Sequence, residues 1–192
     1  MSKKLDAERQ QILPMASGKV LELGMGTGAN FAFYPTDDPS LQVYGLEPEL
    51  PLIARAQTNA KQYPQLNVSF VLGDARNMPI ANESMDTVLC CLVLCTVPNP
   101  ERVIQEAKRV LKPNGRLLVF EHVAAEQGSR LAAWQNRLNS VWSKLACGCN
   151  LNRQTRTIIE SAGFTFTEIK DQRVPHYPAI VSPVIMGVAV KT

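Results

Sequence analysis

A short glycine-rich turn is the feature that most constrains how this chain can fold. An apolar run, Val20 to Leu23, ends in three glycines spaced two residues apart, Gly24, Gly26 and Gly28. Such a run is typical of a buried strand, and the glycines indicate a turn too tight for side chains. Glycine also lets the backbone come within contact distance of a ligand.

Two acidic residues extend this pattern. Glu22 stands two residues before the first glycine, and Glu47 closes the next apolar run, Val43 to Leu46. Ligands of open parallel α/β sheets bind outside the carboxyl ends of the strands. The sequence therefore predicts a nucleoside pocket at the carboxyl edge of a parallel sheet.

Length and composition restrict the class of protein. The 192 residues suit one domain with a sizeable core, and 45% hydrophobic against 19% charged residues argues against disorder. A net charge of +3 is too small to indicate a nucleic-acid partner. No apolar run approaches the roughly 20 residues that span a bilayer, and the start, Met1 to Asp6, is polar. We expect a single domain over residues 1–192, located in the cytoplasm.

The cysteines do not indicate a disulfide framework or a metal site. There are five of them, an odd number, in a chain without a signal-peptide pattern. Cys147 and Cys149 are separated by one residue, which is too short for a zinc knuckle, and no second Cys/His pair follows nearby. We therefore expect no bound metal.

Strand-like and helix-like patterns alternate along the chain, which predicts βαβ units and a parallel sheet. Helices are predicted over 5–15, briefly between Gly28 and Pro35, over 50–62, over 100–111 with Asn99 as the N-cap, and after Asn152 as a second cap. Strands are predicted over 19–23, 42–47, 67–72, 87–92, 116–121, 164–170 and 184–190. The last two strands flank a proline-rich segment, 173–183, which favours a hairpin.

Residues 122–151 do not fit this alternation. Large apolar residues recur there at three- and four-residue steps, with Arg130, Arg137 and Lys144 between them: Leu131, Trp134, Leu138, Val141, Trp142 and Leu145. The pattern predicts an extra amphipathic helix over the ligand mouth. Core packing, a lid that excludes water, and an interfacial membrane anchor are the three interpretations, and we favour core packing combined with a lid.

Five motifs occur in a fixed order along the chain. They are Glu22-x-Gly24-x-Gly26-x-Gly28, then Glu47, Gly73-Asp74-Ala75, Ser84–Val88 and Leu111–Gly115. This order resembles the class I S-adenosylmethionine-dependent methyltransferases over essentially the whole chain. The resemblance implies a Rossmann-like three-layer α/β sandwich. Its seven-stranded, mostly parallel sheet would have the order 3-2-1-4-5-7-6 and a C-terminal antiparallel hairpin.

Four further segments, 28–35, 92–97, 121–126 and 148–153, narrow the likeness. They resemble the methyltransferase-like group that includes microsomal alkyl thiol S-methyltransferases. The microsomal members carry an amino-terminal hydrophobic anchor, and the polar start of this chain departs from that pattern. The resemblance implies methyl transfer to a small molecule, with a thiol as the leading acceptor.

The resemblance also implies roles for residues at the strand ends. The three glycines would line the methionine and ribose of S-adenosylmethionine, and Glu47 would accept hydrogen bonds from both ribose hydroxyls. Asp74 would accept from the adenine amino group, and Ala75 would supply a backbone N–H. The predicted cofactor-binding set is Glu22, Gly24, Gly26, Gly28, Glu47, Pro48, Asp74, Ala75, Cys91 and Leu92, the last two bordering the sulfonium.

His122 is the first candidate for a general base, because it follows the fifth strand at the carboxyl edge and has a suitable pKa range. Its alternative role is a hydrogen bond to a backbone carbonyl. His176, in the proline-rich segment, is a second candidate near the substrate. Cys95, Thr96 and Trp134 complete the predicted substrate residues, although Cys95 is also typical of a packed thiol.

Other functions fit parts of the pattern. A quinone or phospholipid methyltransferase shares the cofactor motifs. The turn also matches Gly-x-Gly-x-x-Ala through Ala29, which is typical of an NAD-dependent oxidoreductase. A protein that binds the cofactor without catalysis is a further alternative. Peripheral membrane contact stays open, as does the oligomeric state.

Overall fold

A seven-stranded sheet organises the molecule, for which a computed structural model describes residues 5–175 and 177–191. The strands are β1 (Lys19–Leu23), β2 (Gln42–Glu47), β3 (Val68–Leu72), β4 (Met85–Cys91), β5 (Leu111–His122), β6 (Phe164–Arg173) and β7 (Pro183–Lys191). The helices are α1 (Asp6–Ile12), α2 (Leu50–Ala60), α3 (Pro100–Val110), α4 (Arg130–Leu145) and α5 (Thr155–Ser161). Single 3₁₀ turns lie at Leu13–Met15, Phe31–Phe33 and Ala179–Val181.

The strand order is β3-β2-β1-β4-β5-β7-β6, which confirms the predicted fold. Strands β1 to β5 are parallel, and β7 pairs antiparallel with both β5 and β6. The chain moves to one side of β1 for β2 and β3, and to the other side for β4 and β5. The crevice at this reversal, at the carboxyl ends of β1 and β4, is where ligands of such sheets bind.

Strict alternation of side chains builds a core on each face of the sheet. In β1, Leu21 and Leu23 join the cluster on one face, whereas Val20 joins the cluster on the other. In β5, Val119 and Phe120 divide in the same way. Because successive side chains of a strand point to opposite faces, this division makes the sheet the middle of three layers.

Two local elements differ from the sequence-based predictions. The segment after the glycine turn forms only one 3₁₀ turn, because side chains at both of its ends are held by a buried acid described below. Helix α5 begins at Thr155 with Gln154 as its N-cap, so the prediction of Asn152 as the cap was wrong. The Asn152 amide instead donates to Asn136 Oδ1 (2.9 Å). Asn99 caps α3 as predicted, accepting from the backbone N–H of Arg102.

Helix α3 offers a direct test of the core. Ile104 is fully buried against the sheet, and its neighbour Gln105 is exposed. We expect Ile104→Ala to lower the free energy of unfolding by about 2–5 kcal/mol, through lost burial and a residual cavity. Gln105→Ala should change it by less than about 0.5 kcal/mol. Urea unfolding followed by circular dichroism measures both, and equal effects would contradict this placement of the helix.

Candidate active site

The glycine turn leaves β1 at the crevice, with three glycines in left-handed conformations. Gly24, Gly26 and Gly28 have φ angles of +61°, +58° and +80°. A Cβ on Gly24 would lie 2.6 Å from Val93 Cγ2, and one on Gly28 would collide with the ring of Phe31. At Gly26 the nearest atom would be the Gly24 carbonyl oxygen at 3.9 Å. Packing therefore requires glycine at both ends of the turn, whereas the space above Gly26 is open to a ligand.

Glu47, at the end of β2, holds the turn in place. Its Oε2 accepts from the backbone N–H of Gly26 (2.9 Å), and its Oε1 accepts from that of Glu49 (3.2 Å). The backbone N–H of Met25 also donates to the carbonyl of Leu46 (3.2 Å). A carboxylate has about four acceptor positions, so Glu47 retains the capacity for a further donor. The glycine turn and Glu47, two parts of the predicted cofactor site, are thus in direct contact.

Glu22 lies beneath the turn and is fully buried. Its two oxygens accept from the Asn30 amide (2.8 Å) and the Tyr34 hydroxyl (2.7 Å), and Asn30 Oδ1 accepts from Arg9 Nε (2.9 Å). Burial raises the pKa of Glu22 to about 7, although the two hydrogen bonds and the charge of Arg9 oppose that shift. Glu22 therefore braces the turn from inside the protein, and its contact with a cofactor stays a prediction.

The end of β3 lies beside the end of β2, because the backbone N–H of Gly73 donates to the carbonyl of Glu47 (3.2 Å). Asp74 accepts from Arg76 through both carboxylate oxygens (3.0 Å to Nε), and these contacts hold the pKa of Asp74 below its usual range. Ala75 is partly buried next to this pair, and Pro48 is exposed after β2. An adenine at this edge would share Asp74 with Arg76.

A buried carboxylate shapes the chain where β4 ends. Glu121 Oε1 accepts from the backbone N–H groups of Val93 (2.8 Å) and Leu94 (2.9 Å), and Oε2 accepts from that of Cys95 (3.3 Å). The guanidinium of Arg153 donates to the carbonyls of the same segment, at Leu94 (2.8 Å) and Val97 (2.7 Å). Glu121 thus holds the 92–97 loop through its backbone N–H groups, and Arg153 holds it through its backbone carbonyls.

This loop begins with strained backbone. Leu92 has a φ of +58°, which is uncommon for a residue with a branched side chain. Its backbone N–H donates to the carbonyl of Phe120 (2.8 Å), and the Cys91 thiol lies 3.7 Å from Asn30 Oδ1. The predicted sulfonium-bordering residues therefore lie at the junction of β4 and the loop, and the thiol of Cys91 faces Asn30, which follows the glycine turn.

An apolar cavity of about 380 Å³ opens on the far side of the loop. Its lining residues come from the β4 exit, the end of β5, α4, the segment after it, and the β6–β7 connection: Leu5, Leu92, Cys95, Thr96, His122, Trp142, Ala146, Cys149, Val174, Tyr177, Pro178, Val181 and Val184. Leu92 touches both this cavity and the predicted cofactor edge. The cavity has the place and the apolar character expected for a small methyl acceptor.

The hydrogen bonding of His122 fixes its tautomer. Nδ1 lies 3.0 Å from the carbonyl oxygen of Pro183, and a carbonyl only accepts, so Nδ1 carries the proton. Nε2 is buried without a hydrogen-bond partner among residues 5–175 and 177–191. Burial lowers the pKa of His122, while the carbonyls of Pro183 and Leu151 act in the opposite direction. The lowered pKa favours the neutral imidazole at neutral pH.

Two cysteines in the cavity interact with each other. The Cys95 thiol hydrogen-bonds the sulfur of Cys149, which raises the pKa of Cys95 and lowers that of Cys149 to about 7. The nearby Trp142 indole and the charge of Arg153 also lower the pKa of Cys149, whereas burial opposes them. Of the two thiols, Cys149 is therefore the more readily ionised.

Two of the four predicted substrate residues line the cavity, together with the predicted base. Cys95, Thr96 and His122 line the cavity, but Trp134 lies on the outer face of α4, 54% exposed. Trp142 lines the cavity instead. It follows Trp134 by eight residues, which corresponds to two turns plus about 80°, so the two side chains leave the helix in different directions. His176 lies outside the described residues.

Sequence reasoning missed Glu121, Trp142 and Cys149 as parts of the site. Glu121 was visible only as the polar last residue of an apolar strand, which is the signal that also singled out Glu22 and Glu47. The contribution of Cys149 depends on the path of the chain after α4, which no local pattern encodes.

Within the described residues, no three His, Cys, Asp or Glu side chains come together as metal ligands. In the same part of the chain, no helix has the length and apolar character needed to cross a membrane.

Comparison with known proteins agrees with this geometry. Residues 21–119 match the family model described as a methyltransferase domain. The chain is 38% identical over 203 residues to thiol S-methyltransferase TMT1B of Rattus norvegicus, covering 98% of this chain and 80% of that protein. It is also 38% identical over 183 residues to thiol S-methyltransferase TMT1A of Homo sapiens, covering 91% of this chain and 72% of that protein.

Solved structures share the fold. A geranyl diphosphate methyltransferase in complex with S-adenosylmethionine superposes with a TM-score of 0.74 at 11% identity, covering 99% of this chain and 86% of that one. The [4+2]-cyclase SpnF superposes with a TM-score of 0.75 at 21% identity, covering 98% and 80%. At these identities the likeness concerns the fold alone.

The fold, the glycine turn with its acidic strand ends and the family match define an S-adenosylmethionine-dependent methyltransferase of class I. Within that class the chain belongs to the family of the thiol S-methyltransferases, with which it shares more than a third of its residues over nearly its full length.

The buried acids of this site predict a pH dependence of stability. Burial raises the pKa of both Glu22 and Glu121 to about 7, above the usual value of 4.5. The folded state then binds more protons than the unfolded state between these values, so the free energy of unfolding falls as pH rises from 4.5 to about 7. Each group contributes up to about 3 kcal/mol of this fall.

Glu22→Gln should remove part of that slope, because glutamine can still accept from Asn30 and donate to Tyr34 but does not titrate. Urea unfolding at several pH values measures it, with the exposed acid variant Glu49→Gln as the charge-matched control. A slope equal to that of the wild type in Glu22→Gln would contradict the assignment.

Proposed function

We propose that this protein transfers the methyl group of S-adenosylmethionine to the sulfur of a small, apolar thiol. The observation that carries the proposal is the apolar cavity beside the β4 exit, which His122 lines; the Nε2 atom of this residue is buried without a hydrogen-bond partner among the described residues. Relatives named thiol S-methyltransferases match 98% of the chain. The family already indicates the cofactor, so the proposal concerns the identity of the methyl acceptor.

The residues of the crevice fit that cofactor. The open space above Gly26 admits the close approach of a ligand, and the spare acceptor capacity of Glu47 suits the two ribose hydroxyls. We expect Asp74 and Ala75, which follow β3, to contact the adenine ring. Leu72, half exposed beside them, offers an apolar contact for it. Glu22 supports this surface by bracing the turn.

The bound cofactor supplies an activated methyl group on a sulfonium sulfur. The contribution of the protein is alignment, which lowers such barriers by about 7–11 kcal/mol when reacting groups are well oriented. Glu121 and Arg153 fix the 92–97 loop, which stands between the two ligands. The apolar walls of the cavity keep water from the reacting sulfur atoms.

His122 is placed to take the proton of the acceptor. A free thiol has a pKa near ~8.5, so most of it is protonated at neutral pH. The lone pair of Nε2 accepts that proton, and the Pro183 carbonyl holds Nδ1–H so that the ring keeps this orientation. The proton would pass from the thiol sulfur to Nε2 as that sulfur bonds to the methyl carbon, while the bond between the methyl carbon and the sulfonium sulfur breaks and S-adenosylhomocysteine leaves.

Other acceptors are less well supported. A phosphatidylethanolamine N-methyltransferase of Cereibacter sphaeroides matches 63% of this chain at 32% identity, and a demethylmenaquinone methyltransferase of Thermotoga maritima matches 57% at 31%. Neither match extends over the whole chain, as those of the thiol enzymes do. The NAD-dependent oxidoreductase is also less well supported. A dinucleotide-binding fold would continue with another parallel strand after a crossover helix, whereas β7 of this chain is antiparallel to β5.

The remaining expectations about organisation belong to the same proposal. The chain acts as one domain in which 122–151 covers the acceptor cavity, and α4 and the segment after it supply three lining residues, Trp142, Ala146 and Cys149. The five free cysteines suit a reducing compartment, in line with a cytoplasmic location. The modest net charge of +3 gives no reason to expect a nucleic-acid partner.

The ribose role of Glu47 is tested by Glu47→Ala. We expect it to weaken binding of S-adenosylhomocysteine by about 100-fold, because two hydrogen bonds to a charged acceptor are lost. Glu49→Ala, two residues on and exposed, should bind as the wild type does. Isothermal titration calorimetry measures both affinities. Unchanged affinity in Glu47→Ala would refute the role, and tight NAD binding would favour an oxidoreductase.

The role of His122 is tested by His122→Asn, whose amide can still donate to the Pro183 carbonyl. We expect kcat/KM for an alkyl thiol to fall by about 100-fold at neutral pH, with a smaller loss above pH ~8.5, where the thiol ionises unaided. Initial rates with radiolabelled S-adenosylmethionine across this range measure the loss. An equal loss at every pH would indicate a structural role instead.

A further inference from the structure

Helix α4 exposes its apolar side chains to solvent. Trp134 is 54% exposed, Leu138 37%, Val141 58% and Leu145 80%. With about 100° per residue, these four and the partly buried Leu131 fall within an arc of roughly 80°. They form one continuous stripe along the 16 residues of the helix. We call these five residues the apolar stripe.

The face of α4 beside the apolar stripe attaches the helix to the protein through polar contacts. Gln135 is fully buried, where it accepts from the backbone N–H of Ala125 (2.7 Å) and donates to the carbonyl of Ile180 (2.9 Å). Asn139 Oδ1 accepts from the backbone N–H of Leu151 (2.7 Å). Polar side chains thus attach this helix to the protein while its apolar stripe stays exposed. An ordinary surface helix instead buries its apolar side.

Cations border the apolar stripe along one margin. Arg130, Arg137 and Lys144 are spaced seven residues apart, so they project within roughly 40° of each other, and the helix contains no acidic residue. All three are exposed, and Arg137 lies over the ring of Trp134 at 5.8 Å. Arg130 stands in the first turn, where the helix dipole disfavours a cation. Helix stability therefore does not account for Arg130, whereas Lys144 lies in the last turn, where the dipole favours a cation.

We propose that the apolar stripe and its three cations form a docking surface for a bilayer that contains anionic phospholipid. The stripe would lie among the upper acyl chains, and the long cationic side chains would extend back to the phosphate groups. An apolar face with cations at its margin has the composition of helices that lie in the plane of a membrane interface.

The charge pattern favours a bilayer over a second copy of the chain. If two α4 stripes packed together, six cations would gather at one interface without an acid on either helix to pair with them. An anionic bilayer neutralises the same cations. Trp142 and Ala146, on the inner side of this helix, line the acceptor cavity, so docking would place that cavity next to the lipid.

The test is co-sedimentation of the full chain with vesicles of phosphatidylcholine, with or without about one-third phosphatidylglycerol. We expect binding to the anionic vesicles, and about tenfold weaker binding for the double variant Val141→Ser/Leu145→Ser. Leu50→Ser, which removes an equally exposed apolar residue on α2, should bind as the wild type does. The variant Arg137→Gln/Lys144→Gln should lose the preference for anionic vesicles, whereas Arg55→Gln/Lys61→Gln should keep it.

Vesicle binding is measured independently of methyl transfer. A failure of the docking proposal would therefore be distinguishable from a failure of the proposed thiol acceptor. Far-UV circular dichroism and S-adenosylhomocysteine affinity should be unchanged in Val141→Ser/Leu145→Ser, since both side chains point away from the protein. No sedimentation of the wild type, or equal sedimentation of the stripe variant, would overturn the proposal. A wild-type dimer that this variant converts to a monomer, without vesicle binding, would assign the stripe to a second copy instead.

Discussion

The structure of the site depends on one buried carboxylate and the three backbone N–H groups that it binds. Glu121 is the residue before the last one of β5, and it reaches across to the segment that leaves β4, where it accepts from Val93, Leu94 and Cys95. Without it, three donors would be left buried and unsatisfied, each at a cost of about 1–3 kcal/mol. Arg153 completes the arrangement from the carbonyl side of the loop. One loop conformation is thereby fixed between the cofactor edge and the acceptor cavity.

The two sides of that loop carry different chemistry. On the cofactor side, glycines and carboxylates present backbone and acceptor oxygens, as a nucleoside with free hydroxyls requires. On the acceptor side, the lining is mainly apolar, with the neutral His122 and the Cys95–Cys149 pair as its polar groups. An apolar pocket with a neutral base suits a weakly acidic thiol better than a charged amine, because burial disfavours charge.

Sequence patterns predicted the sheet well, and with it the positions of the glycine turn and of the acids at the strand ends, because both depend on short-range signals. The alternation in β1, the glycine spacing and the acids at strand ends are each contained within a few residues. The acceptor side was harder to predict, since Glu121, Arg153 and Cys149 act on the same loop from segments far apart in the chain. Asn152 shows the same limit, because its side chain bonds Asn136 on the neighbouring helix instead of capping α5.

Helix α4 shows why the spacing of apolar residues alone does not determine which face of a helix is buried. Its apolar spacing is that of a core-facing helix, and the prediction of core packing was wrong for Trp134, Leu138, Val141 and Leu145. Which face turns inward is decided by the hydrogen bonds of Gln135 and Asn139, which satisfy buried backbone groups of other segments. A polar residue that pairs with a buried backbone group can thus outweigh a stripe of apolar ones.

The central claim is that the transferred methyl group ends on a thiol sulfur. It is tested most directly by incubating the protein with methyl-labelled S-adenosylmethionine and a panel of acceptors: small alkyl thiols, a reduced quinone and phosphatidylethanolamine. The account predicts labelled thioether from the alkyl thiols and none above background from the other two. Label confined to the quinone or the lipid would contradict it.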